Sequence, residues 1–109
     1  MQISSIPFVV TDWSQVERTE HKGERGMAYW RTRDFGGIGV RMVEYTPGYV
    51  ADHWCVKGHI LFCMEGQLDT QLKDGRRFTL KPGMSYQVAD NAEPDRSATE
   101  VGAKLFIVD

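Results

Sequence analysis

Hydrophobic and polar residues alternate along much of the chain, and the alternation has the period of a strand. Met27 to Phe35 sets Tyr29, Arg31 and Arg33 on one face against Ala28, Trp30 and Thr32 on the other. Gly36-Gly37 interrupts the run. Ile38 to Tyr45 resumes it, with Val40, Met42 and Glu44 set against Arg41, Val43 and Tyr45. Shorter segments alternate or are apolar throughout: Ile6 to Val10, Ile60 to Met64, Gln67 to Leu72, Phe78 to Leu80, Met84 to Val88 and Ala103 to Val108. Turn signals separate them. Thr46-Pro47-Gly48 and Lys81-Pro82-Gly83 join the fixed φ of proline to the positive φ open to glycine. Lys73-Asp74-Gly75-Arg76 predicts a type I′ hairpin. Gly36-Gly37-Ile38-Gly39 lies between strands, not before a helix, and reads as a turn or bulge. Helical periodicity is missing. Ser14 to Glu24 is polar and has room for one short turn, its charged part from Glu17 to Lys22 reads as a solvated loop, and Ala89 to Glu100 reads as a polar loop. About eight or nine short strands, with turns roughly every 8 to 12 residues, predict an all-β sandwich or barrel, often a jelly roll.

The length supports one domain spanning 1–109, since 109 residues is an ordinary domain size. Lys and Arg number 13 against 15 Asp and Glu, for a net charge of -2. The basic residues are scattered, and Arg76-Arg77 is the one tight pair. That balance argues against nucleic acid as the main partner, because phosphate binding needs a basic patch. No apolar run approaches the roughly 20 residues of a membrane helix. Met1 to Trp13 lacks the charged and apolar regions of a signal peptide, so no membrane partner and a cytoplasmic location are expected. On one strand, Cys55 and Cys63 would stand about 26 Å apart at 3.3 Å per residue. A disulfide spans at most about 7 Å between Cα atoms, so two free thiols are expected, as in a reducing compartment.

The candidate chemistry lies in Asp52-His53-Trp54-Cys55-Val56-Lys57-Gly58-His59, which holds two of the three histidines. If this run is a strand, His53, Cys55 and His59 share a face and Asp52, Trp54 and Val56 point the other way. A bulge at Gly58 would break that parity. Imidazole and thiolate are ligands for Zn²⁺, and imidazole also suits Fe, Cu and Ni. The competing reading is a polar strand end with solvated histidines.

The stretch from Pro47-Gly48 to Gly66 resembles the first sequence motif of the cupin superfamily, G-x5-H-x-H-x3/4-E-x6-G. The closing glycine of the motif matches Gly66; its Glu position falls on His59, its first His on His53 and its second on Cys55. Gly75 to Arg96, with Pro82-Gly83 inside it, is similar to the second motif, whose last His falls near Asp95. The Asp-His-Trp-Cys run is similar to that of small single-domain bacterial cupins of the DHCW-motif type. The resemblance covers about residues 40 to 108. It implies a cupin-like β-barrel (a jelly roll, or double-stranded β-helix), a homodimer and a divalent metal ion. The implied ligands are His53, Cys55, His59 and Asp95. All four would make a closed tetrahedral shell suited to Zn²⁺. His53, His59 and Asp95 without Cys55 would make the facial set of a non-haem Fe(II) centre; Ni²⁺ is the remaining candidate.

Three functions follow as expectations. The first is a metal-dependent enzyme acting on a small molecule, as an isomerase, lyase or dioxygenase. The second is a barrel that binds a metal or small ligand without turnover. The third is a structural dimer with a degenerate site, favoured by the replaced ligands. Outside the metal set, Cys63 is expected as a buried hydrophobe, and Trp54 and Tyr86 in packing roles. Trp30 is a candidate for a dimer face. Asp52 is expected at the rim, and Arg96 as a surface residue paired with an acid or a clamp for an anionic ligand.

Overall fold

The structure, a computed structural model, describes residues 3–109; Met1 and Gln2 lie outside the described residues. Among the described residues there are nine strands. They are β1 (Arg18–Lys22), β2 (Met27–Phe35), β3 (Ile38–Tyr45), β4 (His59–Gly66), β5 (Leu68–Leu72), β6 (Arg77–Leu80), β7 (Ser85–Val88), β8 (Asp95–Ala98) and β9 (Ala103–Val108). A single 3-10 turn, Trp13–Gln15, precedes them. All strand pairs are antiparallel. They form a six-stranded sheet in the order β1-β2-β3-β9-β4-β7 and a three-stranded sheet in the order β6-β5-β8.

The alternating runs became strands where they were expected. Val43, Leu61, Cys63 and Leu105 turn inward from the large sheet and meet Leu68 and Leu80 of the small one. Each such aliphatic side chain contributes about 1.5–3 kcal/mol by leaving water. Cys63 is fully buried, and both cysteines are free.

Four local expectations are corrected. Ile6 to Val10 is not a strand: it has no backbone hydrogen bond among the described residues, and Phe8 is 98% exposed. Its apolar residues have strand propensity, but they pair with no strand among the described residues. The charged segment read as a loop is instead β1, an edge strand, which needs only one ladder and tolerates polar residues on both faces. Within the expected loop from Ala89 to Glu100, Asp95–Ala98 pairs with β5 as β8. The type I′ turn is found at Gly36-Gly37, where φ is 60° and 87°, not at Asp74-Gly75. Asp74 keeps a negative φ; the Leu72 N–H donates to the Arg76 carbonyl at 2.8 Å and the Gly75 N–H to the Leu72 carbonyl at 3.0 Å, so a three-residue loop with Gly75 at φ 101° closes the hairpin.

Trp30 is partly buried and packs against the interior, with His21 of β1 stacked on it at 3.7 Å between centroids. Its neighbour Arg31 clamps the 3-10 turn. Arg31 Nη1 donates to the Val16 carbonyl at 2.6 Å and to the Trp13 carbonyl at 3.1 Å. Arg31→Ala is expected to cost about 1–2 kcal/mol in urea unfolding, the worth of charge-assisted bonds at a partly buried site. An unchanged midpoint would show that the clamp is energetically idle.

Candidate functional site

A cavity of about 400 Å³ lies against the inner face of the large sheet. Strands β2, β3, β4, β7 and β9 line one side of it; β8 and residues 49–57 line the other. Residues 51–58 form no strand beyond one isolated bridge, Cys55 with Asp95. The expected strand parity therefore does not hold: Trp54 and Val56 line the cavity beside His53, Cys55 and His59. Gly58 is needed for close approach, since a Cβ there would sit 2.5 Å from the Asp90 backbone nitrogen.

All four expected ligands line this cavity, but they are engaged separately. His53 is at the rim with its side chain 69% exposed, and its Nδ1 lies 2.6 Å from Asp52 Oδ1. That hydrogen bond holds the Asp52 carboxyl below its usual range. Cys55 meets Asp95 through main chain alone: the Cys55 N–H donates to the Asp95 carbonyl at 2.7 Å, and the Asp95 N–H returns a bond of 3.0 Å. Burial pushes the Cys55 thiol up, which disfavours thiolate.

His59 and Asp95 are brought together by a third residue. His59 Nε2 lies 2.7 Å from the Tyr86 hydroxyl, and that hydroxyl lies 3.4 Å from Asp95 Oδ1. Asp95 is 3% exposed, and its Oδ2 is buried without a hydrogen-bond partner. Burial raises the Asp95 carboxyl above the usual carboxylate range, against the opposing pull of His59 and the Tyr86 hydrogen bond. Burial and then Asp95 raise the Tyr86 phenol too, so it stays protonated. Tyr86 has one hydroxyl proton to give. When it goes to His59 Nε2, a protonated Asp95 can donate to the phenol oxygen; when it goes to an ionised Asp95, the His59 N–H donates instead. The three residues thus form a chain along which one proton can sit at either end.

The sequence alone reads Tyr86 first as packing, with an inward ligand contact as the alternative. The signal was its position opposite Leu61 on neighbouring strands, between outward Ser85 and Gln87. Arg41, Lys57 and Asp109 also line the cavity and carried no motif at all. Arg96 pairs with Glu24, not with any group in the cavity.

Imidazole, thiol and carboxylate are divalent-metal donors by type. Among the described residues, however, no three His, Cys, Asp or Glu side chains converge closely enough to hold an ion. As placed, His53 turns to Asp52 and His59 bonds to Tyr86, so the four donors share the cavity without closing on one point.

No protein-family model matches the chain, and no curated protein sequence does. Solved structures do. Ectoine synthase from P. lautus superposes with a TM-score of 0.74 at 15% identity, over 93% of this chain and 76% of that one. An RmlC-like cupin from Shewanella frigidimarina gives 0.72 at 16%, over 96% and 92%. A sugar phosphate isomerase from a cupin superfamily, from Silicibacter pomeroyi, gives 0.71 at 16%, over 92% and 74%. At such identities the likeness establishes fold and nothing finer.

Proposed function

We propose that this chain, a cupin-fold β-barrel, holds a small organic molecule in its cavity and exchanges a proton with it through His59, Tyr86 and Asp95. The observation that carries the reading is Asp95: a carboxyl buried at the cavity, with one oxygen unpartnered and the other joined to His59 through Tyr86. Enclosed, mostly apolar cavities with a few convergent polar groups are where small molecules bind. A carboxyl raised above its usual range by burial, beside a cavity and in a hydrogen-bonded chain, is a candidate for general acid–base work. Asp95 would give or take the proton, Tyr86 would carry it, and His59 would hold it at the other end. Isomerase and lyase chemistry both need such a transfer.

The test is thermal unfolding in the presence of a panel of small organic acids, alcohols and sugar phosphates. A binder should raise the melting temperature of the wild type, and Tyr86→Phe, which keeps the ring but cuts the chain, should abolish any turnover of that binder. A panel with no stabilising member would overturn the reading.

A second reading has its own observation. The unpartnered Asp95 Oδ2 is also what a missing cation would leave, with His59, Cys55 and His53 on the same cavity as further donors. A divalent ion there would supply Lewis-acid or redox chemistry. Elemental analysis of protein purified without a metal-affinity tag, beside His59→Ala, separates the two. The first reading expects no stoichiometric metal in either sample; about one equivalent per chain, lost in the variant, would put the second reading in its place.

A further inference from the structure

We infer that the ligand of this cavity is an organic carboxylate with a flat, apolar body, its carboxylate seated between Arg41 and Lys57. The inference rests on the small-molecule reading above and gives that molecule a chemical class.

Two cations and one carboxylate gather at one end of the cavity without bonding well. Arg41 Nη2 lies 3.5 Å from Asp109 Oδ2, and Lys57 Nζ lies 3.5 Å from Asp109 Oδ1. Charge-assisted N–H···O bonds are normally about 2.7–2.9 Å, so both contacts are ion pairs without close hydrogen bonds. One buried donor shows the unspent capacity: among the described residues Arg41 Nε has no hydrogen-bond partner, and a ligand carboxylate would accept from it. Buried polar groups are rarely left so, and the cost of leaving them is recovered when a ligand supplies the bonds. Charge points the same way. At this end of the cavity the Arg41 and Lys57 cations share the single Asp109 side-chain carboxylate, an arrangement that favours an anionic over a cationic ligand group.

The shape of the seat selects a carboxylate. The group already standing against both cations is one, and a planar guanidinium matches a carboxylate edge to edge. The Arg41 guanidinium is itself steadied, lying 5.1 Å from the Trp30 ring centroid. Beyond the seat, part of the wall is aromatic. Trp30 and Trp54 line the cavity, and Tyr45 and Tyr49 are stacked there at 4.1 Å between centroids. Such surfaces stack on rings or conjugated systems. A cationic ligand would use the same aromatic faces, but it would meet Arg41 and Lys57.

The experiment is isothermal titration calorimetry with three probes of one shape: benzoate, benzamide and benzylamine. The Lys57 side chain is 57% exposed, so Lys57→Met leaves the fold intact. Asp109→Asn removes the carboxylate that competes for the seat. The wild type is expected to bind benzoate about tenfold more tightly than benzamide, and benzylamine least. Lys57→Met should weaken benzoate about tenfold and leave benzamide alone, whereas Asp109→Asn should tighten benzoate. Equal binding of benzoate and benzamide, or benzoate affinity unmoved in both variants, overturns the carboxylate assignment and leaves the small-molecule reading standing. No binding of any of the three overturns both.

Discussion

Gly66→Ala will cost the barrel a large share of its stability. Gly66 has φ of +76°, and a Cβ there would lie 2.0 Å from the Gly102 carbonyl oxygen and 2.8 Å from its carbon. The left-handed conformation alone costs an alanine about 1–2 kcal/mol. The contact is with backbone, so relief requires β4 and β9 to move apart where their register already shifts between Cys63 and Glu65. Together these should cost about 4 kcal/mol, against a usual total of about 5–15 kcal/mol. Urea unfolding measures it. Gly37→Ala is the control: φ is +87°, but nothing lies within 4 Å of its Cβ, so it carries only the conformational cost. If the two variants unfold alike, the β4–β9 contact is softer than its geometry implies.

Asp95→Asn will make chelator-treated protein more stable than wild type at about pH 7, and the difference will close toward about pH 4. The Asp95 carboxyl is raised above its usual range in the fold by burial. The folded chain therefore keeps a proton that the unfolded chain has released. The favourable contribution of Asp95 is complete below the ordinary carboxylate value and is lost as pH rises through the raised one. The slope from this single group is at most about 1.4 kcal/mol per pH unit. Asparagine keeps the shape and the hydrogen bond to Tyr86 but cannot ionise. Urea unfolding of both proteins across that range reads the effect, and a difference that stays constant with pH would show that Asp95 is not the titrating group.

The sheet was legible wherever one face of a strand is buried. Met27 to Phe35, Ile38 to Tyr45 and Ala103 to Val108 alternate because Ala28, Val43 and Leu105 must face the interior while their neighbours face water. β1 and β8 were illegible because neither shows that contrast: Arg18–Lys22 is polar on both faces, and Asp95–Ala98 turns a carboxyl inward. Ile6 to Val10 misled for the opposite reason, being apolar with no partner strand. The cupin fold was readable through Gly66 and the Pro-Gly turns, which serve backbone geometry. The site was readable only in part. His59 and Asp95 do meet at one cavity, but the phenol that joins them belongs to a strand 27 residues from His59, and no local spacing records that. His53 and Cys55 were grouped by a strand parity that the irregular 51–58 segment does not obey. Arg41 and Asp109 lie far apart in sequence and meet through the register of β3 and β9, and the irregular 51–58 segment brings Lys57 to them.

The bridge between Cys55 and Asp95 is made wholly of main-chain atoms. It holds the 51–58 segment against β8 whatever side chains stand at the two positions. The cavity can therefore change its lettering without the barrel having to learn a new shape, and a library randomised at positions 53, 55 and 59 should yield mostly folded proteins. Drift at such a site is cheap, and new chemistry can be tried on a scaffold that hardly notices.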